Sequence, residues 1–337
     1  MLLLSLLACV RTPRDLPDSF ELPDTLSAYD AWLAESEARF PDIEPGAERS
    51  IHWADPERPA KTAISLIYFH GYSASRQEIS PVCEQVADAI GANVYFARLS
   101  GHGRSDEAMA EASLRDWLVE AEEALAIGRA LGEQVVVVGT STGATLGTWL
   151  ASRHGTEIGA SIYLSPNFGP RARGSRLLLL PGRRRLARLL IGEYREWEPE
   201  NDQQAKYWTH RYPSVALFPM IELVRLVEKT DLSANRQPTL VVYSPNDQVI
   251  RPDRVEERMT EMGGQPVESL LIEHGGSSSH HVLAGDIISP MNNALVTDTM
   301  IDFLVRTTSA ERIPEPVDEP AGAAPPAGED DQTPPVP

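Results

Sequence analysis

The chain has 337 residues, enough for one large domain or two modest ones, and 42% of them are hydrophobic, enough to bury a sizeable core. The 30 Lys and Arg stand against 49 Asp and Glu, a net charge of -19, which argues against nucleic acid as a partner because phosphate would be repelled at long range. The two cysteines, Cys9 and Cys83, exclude a disulfide framework, and no Cys/His cluster has zinc spacing, so no metal site is expected.

The opening "MLLLSLLACV" is apolar but too short to span a bilayer. It resembles the end of a bacterial lipoprotein signal, with Leu6-Leu7-Ala8-Cys9 as the lipobox, which implies a signal over 1–9 and a lipidated Cys9. No Lys or Arg precedes the run, which a start codon assigned too late would explain. A diacylated Cys9 would hold the chain on a membrane of the bacterial cell envelope; without it the chain would be cytoplasmic. Residues 10–50 read as an N-terminal extension with a helix over 27–40, on the face of Tyr29, Trp32, Leu33 and Phe40.

Two segments, 51–165 and 236–309, alternate apolar strands with amphipathic helices. Strands are predicted at 64–69, in "ANVYFARLSGHGRSDE", at 135–138, in "GASIYLSPN", in "QPTLVVYSPND" and in "ESLLIEH". Helices are predicted through Ile79, Val82, Val86 and Ile90, over 113–131, over 143–154 and over 294–305. The strands are apolar throughout rather than at every second residue. That pattern belongs to a mostly parallel α/β sheet covered by helices on both faces, whose ligands sit at the carboxyl ends of the strands.

Between the strands at Ile162 and Leu240 lie about seventy residues with no strand-like run, too long for a connection. Residues 166–235 are therefore read as a helical cap inserted over that carboxyl edge. Its arginines Arg171, Arg173, Arg176, Arg183, Arg184, Arg185 and Arg188 surround four leucines at 177–180. Two readings apply: an amphipathic face that meets anionic lipid, or a solvated stretch paired with acidic neighbours. The aromatics Tyr194, Trp197, Tyr207, Trp208, Tyr212 and Phe218 either line an acyl pocket or pack the cap onto the body. From residue 310 to 337 the chain is acidic and proline-rich, and reads as a disordered tail.

The chemistry centres on Gly139-Thr140-Ser141-Thr142-Gly143, between four valines and a helix. A strand–Gly-x-Ser-x-Gly–helix turn lifts a hydroxyl clear of the sheet and sets it at a helix N-terminus, where backbone N–H groups favour negative charge. A serine hydroxyl is a weak nucleophile and needs a base. Downstream, Asp247 follows a buried strand, and His280 and His281 lie in the loop after the last one. Asp253 and Asp286 are weaker acid candidates. His281 is preferred over His280 because it directly precedes Val-Leu, the start of a packed element. For the oxyanion, Thr142 N–H and Tyr72 N–H are the candidate donors, the latter placed by Gly71 with the His70 side chain bracing the loop.

Taken together, "HGY", "GHGRSD", "GTSTG", "ND" and "HHVL" resemble the α/β-hydrolase superfamily, in its lysophospholipase, monoacylglycerol lipase and serine aminopeptidase-like branch. The resemblance spans roughly residues 63–306. It implies an α/β-hydrolase fold and hydrolysis of a carboxylic ester, less often an amide or thioester, through an acyl-enzyme on Ser141 with Asp247 and His281. The implied partner is a small-molecule ester or lipid, and no metal or organic cofactor is implied. Thr140 and Thr142 depart from the branch, which often has a bulkier residue before the serine, and the cap matches no subfamily. The reading of a different class is a surface-tethered binding protein that uses the hydrolase scaffold without turnover.

Overall fold

The computed structural model describes residues 10–313 except 14 and 173. Cys9, Arg173 and residues 314–337 of the tail lie outside the described residues. The main sheet has seven strands: β1 (Ser50–His52), β2 (Thr62–Phe69), β3 (Asn93–Phe96), β4 (Gly132–Thr140), β5 (Ile158–Leu164), β8 (Thr239–Tyr243) and β9 (Val267–Leu271). Their spatial order is β1-β3-β2-β4-β5-β8-β9. All neighbours are parallel except β1, which pairs antiparallel with β3.

The valine run of β4 shows why the central strands lack alternation. Val135 and Val137 enter the core on one face, beneath α3 (Leu114–Leu131) and α4 (Thr142–His154). Val136 and Val138 enter the other, beneath α2 (Val82–Ile90) and α9 (Asn293–Thr307). A strand sandwiched between two helical layers has no polar face to offer. Ser113 caps α3 in a reciprocal box with Asp116, so this helix starts where its sequence signals a start.

Three elements differ from expectation. β1 is a half-buried edge strand of three residues with no apolar run to announce it. The cap is not wholly helical: β6 (Tyr194–Glu196) and β7 (Arg211–Pro213) pair antiparallel between its helices α5 (Arg183–Leu190), α6 (Asp202–Tyr207) and α7 (Leu217–Glu228). Nor does α7 belong to the cap alone. Its Leu217, Phe218 and Ile221 join the cap cluster, while Leu223, Leu226 and Val227 join the main core.

The extension is part of the body. Helix α1 (Tyr29–Glu37) buries Tyr29 and Leu33 in the main core. Phe40 falls beyond the helix, with the Arg98 and Arg104 guanidinium groups 5.1 and 4.5 Å from its ring centre. Glu37 closes the join. Its carboxylate takes Arg98 Nε at 2.6 Å and Arg98 Nη2 at 2.8 Å, and also the Arg49 backbone N–H at 3.1 Å. Burial works to raise the Glu37 pKa, but the hydrogen bonds and charges of Arg98 and Arg49 outweigh it and hold the carboxyl below its ordinary value.

Replacing Glu37 by Gln would leave Arg98 buried without a counter-charge. The expected cost is about 3–5 kcal/mol of stability, read from urea denaturation at neutral pH. Because the folded pKa is lowered, this contribution is present above the ordinary carboxylate range and is lost as pH falls through the lowered value. The difference between wild type and Glu37→Gln should therefore shrink in acid.

Candidate active site

Ser141 sits where β4 turns into α4, with φ 51° and ψ -111°, a backbone that L-residues rarely adopt. Two hydrogen bonds hold it there: its N–H donates to Leu164 O at 2.8 Å, and its carbonyl accepts Asn167 N–H at 3.1 Å. The flanking glycines are steric requirements. A Cβ on Gly143 would lie 2.0 Å from Phe69 O, and one on Gly139 would lie 2.7 Å from Ala144 N.

The structure brings Ser141, His281 and Asp247 together. His281 Nε2 lies 2.9 Å from Ser141 Oγ, and His281 Nδ1 lies 2.6 Å from Asp247 Oδ2. Asp247 is fully buried, and its second oxygen accepts the N–H groups of Val249 at 2.7 Å and Ile250 at 2.9 Å. The carboxylate is thus aimed and satisfied without a cation. Ser165 Oγ donates to the His281 carbonyl at 2.7 Å and fixes the histidine's backbone.

The competing candidates face elsewhere. His280 has φ 50°, which turns its ring toward His274, 5.5 Å away between ring centres. Asp253 takes Arg251, and Asp286 accepts Asn293 Nδ2 at 2.6 Å.

Gly71 lies directly against the serine: a Cβ there would be 3.4 Å from Ser141 Cβ. His70 Nε2 accepts Leu99 N–H at 3.0 Å, so its proton sits on Nδ1, which donates to Gly71 O at 2.9 Å. Burial pushes the His70 pKa down to about 4, so the ring is a neutral brace. Thr142 opens α4, and its N–H has no partner within the helix. The Tyr72 N–H has no hydrogen-bond acceptor among the described residues. The Tyr72 ring stands edge-on to His102 and to Tyr212 of the cap, at 5.7 and 5.4 Å between centres.

The cap closes over this group. Ser141 is 7% exposed and His281 9%. Tyr72 and Met220 pack against the cap residues Tyr212, Leu217 and Phe218. Of the six cap aromatics singled out in the sequence, only Tyr212 and Phe218 belong to this cluster. Trp208 packs with Ala74 and Ile288, and Tyr194 stacks with Arg211 at 3.8 Å. A cleft of about 910 Å³ opens beside the acid loop rather than over Ser141, lined by Phe168, Arg171, Leu179, Ile221, Val224 and Arg254. Arg171 Nη1 donates to the Asp247 carbonyl there at 2.6 Å.

Ser165 and Asn167 were not picked out from sequence. Both lie in "SPN" just past β5, on the same carboxyl edge as every other site loop, and that position was the available signal. A hydroxyl, an imidazole and a buried carboxylate linked in this order allow proton transfer from the hydroxyl to the imidazole, with the carboxylate stabilising the imidazolium.

Residues 66–286 match the alpha/beta hydrolase family, and the chain belongs to it. Among individual relatives, it is 24% identical over 241 residues to a thermostable monoacylglycerol lipase of Bacillus sp. (strain H-257), covering 71% of this chain and 90% of that one. Two solved structures share the fold. One, from work on the metagenome-derived lipolytic enzymes LipS and LipT, has TM-score 0.65 and 19% identity, over 78% of this chain and 99% of that one. The other, a monoacylglycerol lipase of Paleococcus ferrophilus, has TM-score 0.57 and 11% identity, over 77% and 98%.

The steric reading of the elbow has a direct test. Gly143→Ala forces α4 away from β2, at an expected cost of about 3 kcal/mol measured by chemical denaturation.

Proposed function

We propose that the chain is a serine hydrolase of carboxylic esters, with lipid-like acyl esters as its substrate class. The observation that carries this reading is the linked geometry of Ser141, His281 and Asp247 beneath an apolar cap. Ser141 Oγ attacks the acyl carbonyl carbon while His281 Nε2 takes its proton. The tetrahedral oxyanion is received by the N–H groups of Tyr72 and Thr142. The carbon–oxygen bond to the alcohol then breaks, and His281 returns the proton to the leaving oxygen. Water, deprotonated by the same imidazole, releases the acid and restores the serine. The monoacylglycerol lipase relative supports the substrate class, as does the apolar cap cluster of Tyr212, Leu217 and Phe218, against which Tyr72 and Met220 pack.

A fluorophosphonate probe should label the wild type and not Ser141→Ala. His281→Ala should lower kcat at least about 10³-fold on p-nitrophenyl esters, whereas His280→Ala should change it less than about threefold. Folded wild type that escapes the probe would identify a binding protein instead. Cleavage of aminoacyl anilides with esters untouched would make it a peptidase, and turnover confined to acyl thioesters a thioesterase.

We further propose that the protein works at a membrane surface. Among the described residues no helix is long and apolar enough to cross a membrane. Leu177, Leu189 and Leu190 are 45, 81 and 56% exposed, beside Arg184, Arg185 and Arg188. Several arginines of the run are neutralised: Arg176 pairs with Glu228, Arg183 with Glu222 and Arg188 with Glu193, which leaves Arg184 and Arg185 as the basic flank. An apolar tip with a basic flank suits the headgroup boundary of anionic lipid, and a lipidated Cys9 would add the second anchor that stable attachment to the cell envelope needs. Leu189→Glu with Leu190→Glu should abolish co-sedimentation with anionic vesicles while leaving turnover of a soluble ester intact. Palmitate incorporation that survives Cys9→Ala would exclude the tether.

A further inference from the structure

Glu78 is buried, 3% exposed, and takes no part in the reaction as written. It ends the short turn Arg76–Glu78 that follows the "HGYSAS" loop. Its Oε1 accepts the Gly71 backbone N–H and the Tyr68 hydroxyl, the latter at 2.8 Å. With its own proton committed to Glu78, the Tyr68 oxygen accepts from the Thr140 hydroxyl, also at 2.8 Å. A continuous hydrogen-bonded path therefore runs from Thr140, next to the nucleophile, to Gly71, next to the proposed oxyanion donor. The histidine loop rests on the same turn. A Cβ on Gly285 would lie 2.0 Å from Glu78 O, and Asp286 N–H donates to Ser80 O at 2.9 Å.

We propose that Glu78 is a positioning residue that holds the oxyanion loop, acting through Gly71 N–H; this rests on the serine-hydrolase reading of the site. Gly71 is then fixed at both ends, its N–H by Glu78 and its carbonyl by His70. The peptide that follows presents Tyr72 N–H in one direction. Donors preorganised in this way avoid reorganisation when charge develops on the substrate.

The role suits a neutral acid. Burial pushes Glu78 up to about 8, against the opposing hydrogen bonds from Gly71 and Tyr68. Below that value the uncharged carboxyl is an acceptor that puts no anion behind the oxyanion. Above it, a buried negative charge sits one peptide away and opposes the transition state. Burial pushes Tyr68 on β2 and Cys83 on α2 well above their ordinary values. Glu84 is turned to Ser80, Asp286 to Asn293, and Arg76 over the Phe96 ring. His281, hydrogen-bonded to Ser141 Oγ, is kept in both Glu78 variants.

The test compares wild type, Glu78→Gln and Glu78→Ala on p-nitrophenyl butyrate across pH, with phenylboronic acid affinity as a probe of the tetrahedral state. Glu78→Ala should lower kcat about ten- to a hundredfold at nearly constant KM and weaken the boronate by the same factor. Glu78→Gln keeps the shape and an acceptor oxygen. It should stay within about threefold of wild type at neutral pH and lose the wild type's fall in kcat above about 8. If Glu78→Ala fails to fold, the Gln profile decides alone. A Gln variant that keeps the wild-type alkaline fall, or a folded Ala variant with undiminished boronate affinity, overturns the proposal while leaving the hydrolase standing. A wild type that neither labels with fluorophosphonate nor turns over removes both.

Discussion

The first turn of α4 lies against the end of β2 with no room for a side chain between them. Gly143 makes that approach possible, and Phe69 and His70 supply the backbone on the other side. One steric contact therefore sets two things at once. It fixes where the serine stands above the sheet, and it brings the chain after β2 alongside it. A helix displaced by a single methyl group would separate the hydroxyl from the loop of Gly71 and Tyr72, whatever the histidine did. The unusual backbone angles at Ser141 follow from the same contact, and the hydrogen bonds to Leu164 and Asn167 stabilise them.

Around that contact, polar groups are buried because each has a partner. Asp247 is buried with both oxygens satisfied, one accepting two backbone N–H groups and the other facing His281. His70 is buried as a neutral ring whose two nitrogens each face a backbone group. These bonds converge beneath the serine, and the cap meets the body both through the apolar packing of Tyr72 and Met220 and through polar bonds such as Arg171 to the Asp247 carbonyl.

Much of this could be read from residues alone, and the reasons differ by element. The central strands were visible because a strand buried on both faces must be apolar at every position, as at 135–138. The elbow was visible because its glycines are dictated by contact rather than by composition. Asp247 and His281 were visible only through chain order and through the strands before them. Between His280 and His281, the decision depends on a positive φ at 280, which no residue type there announces. β1 and the β6–β7 pair were missed because three-residue strands have no period to detect. Glu78 was missed for a different reason: its neighbours in sequence, Arg76 and Gln77, suggest a solvated turn, and only the return of the loop onto itself buries the carboxyl.

The segment that matches the family begins at residue 66, after α1 and β1. A chain trimmed to that boundary would lose Glu37 and leave the Arg98 guanidinium in the interior with nothing to neutralise it. Arg98 Nη1 also donates to the His102 carbonyl at 3.2 Å, and the His102 ring lies 4.8 Å from that of His70. The supports of the His70 loop thus extend into a stretch that family likeness does not reach. What looks like a dispensable leader is structurally the outermost buttress of the candidate active site.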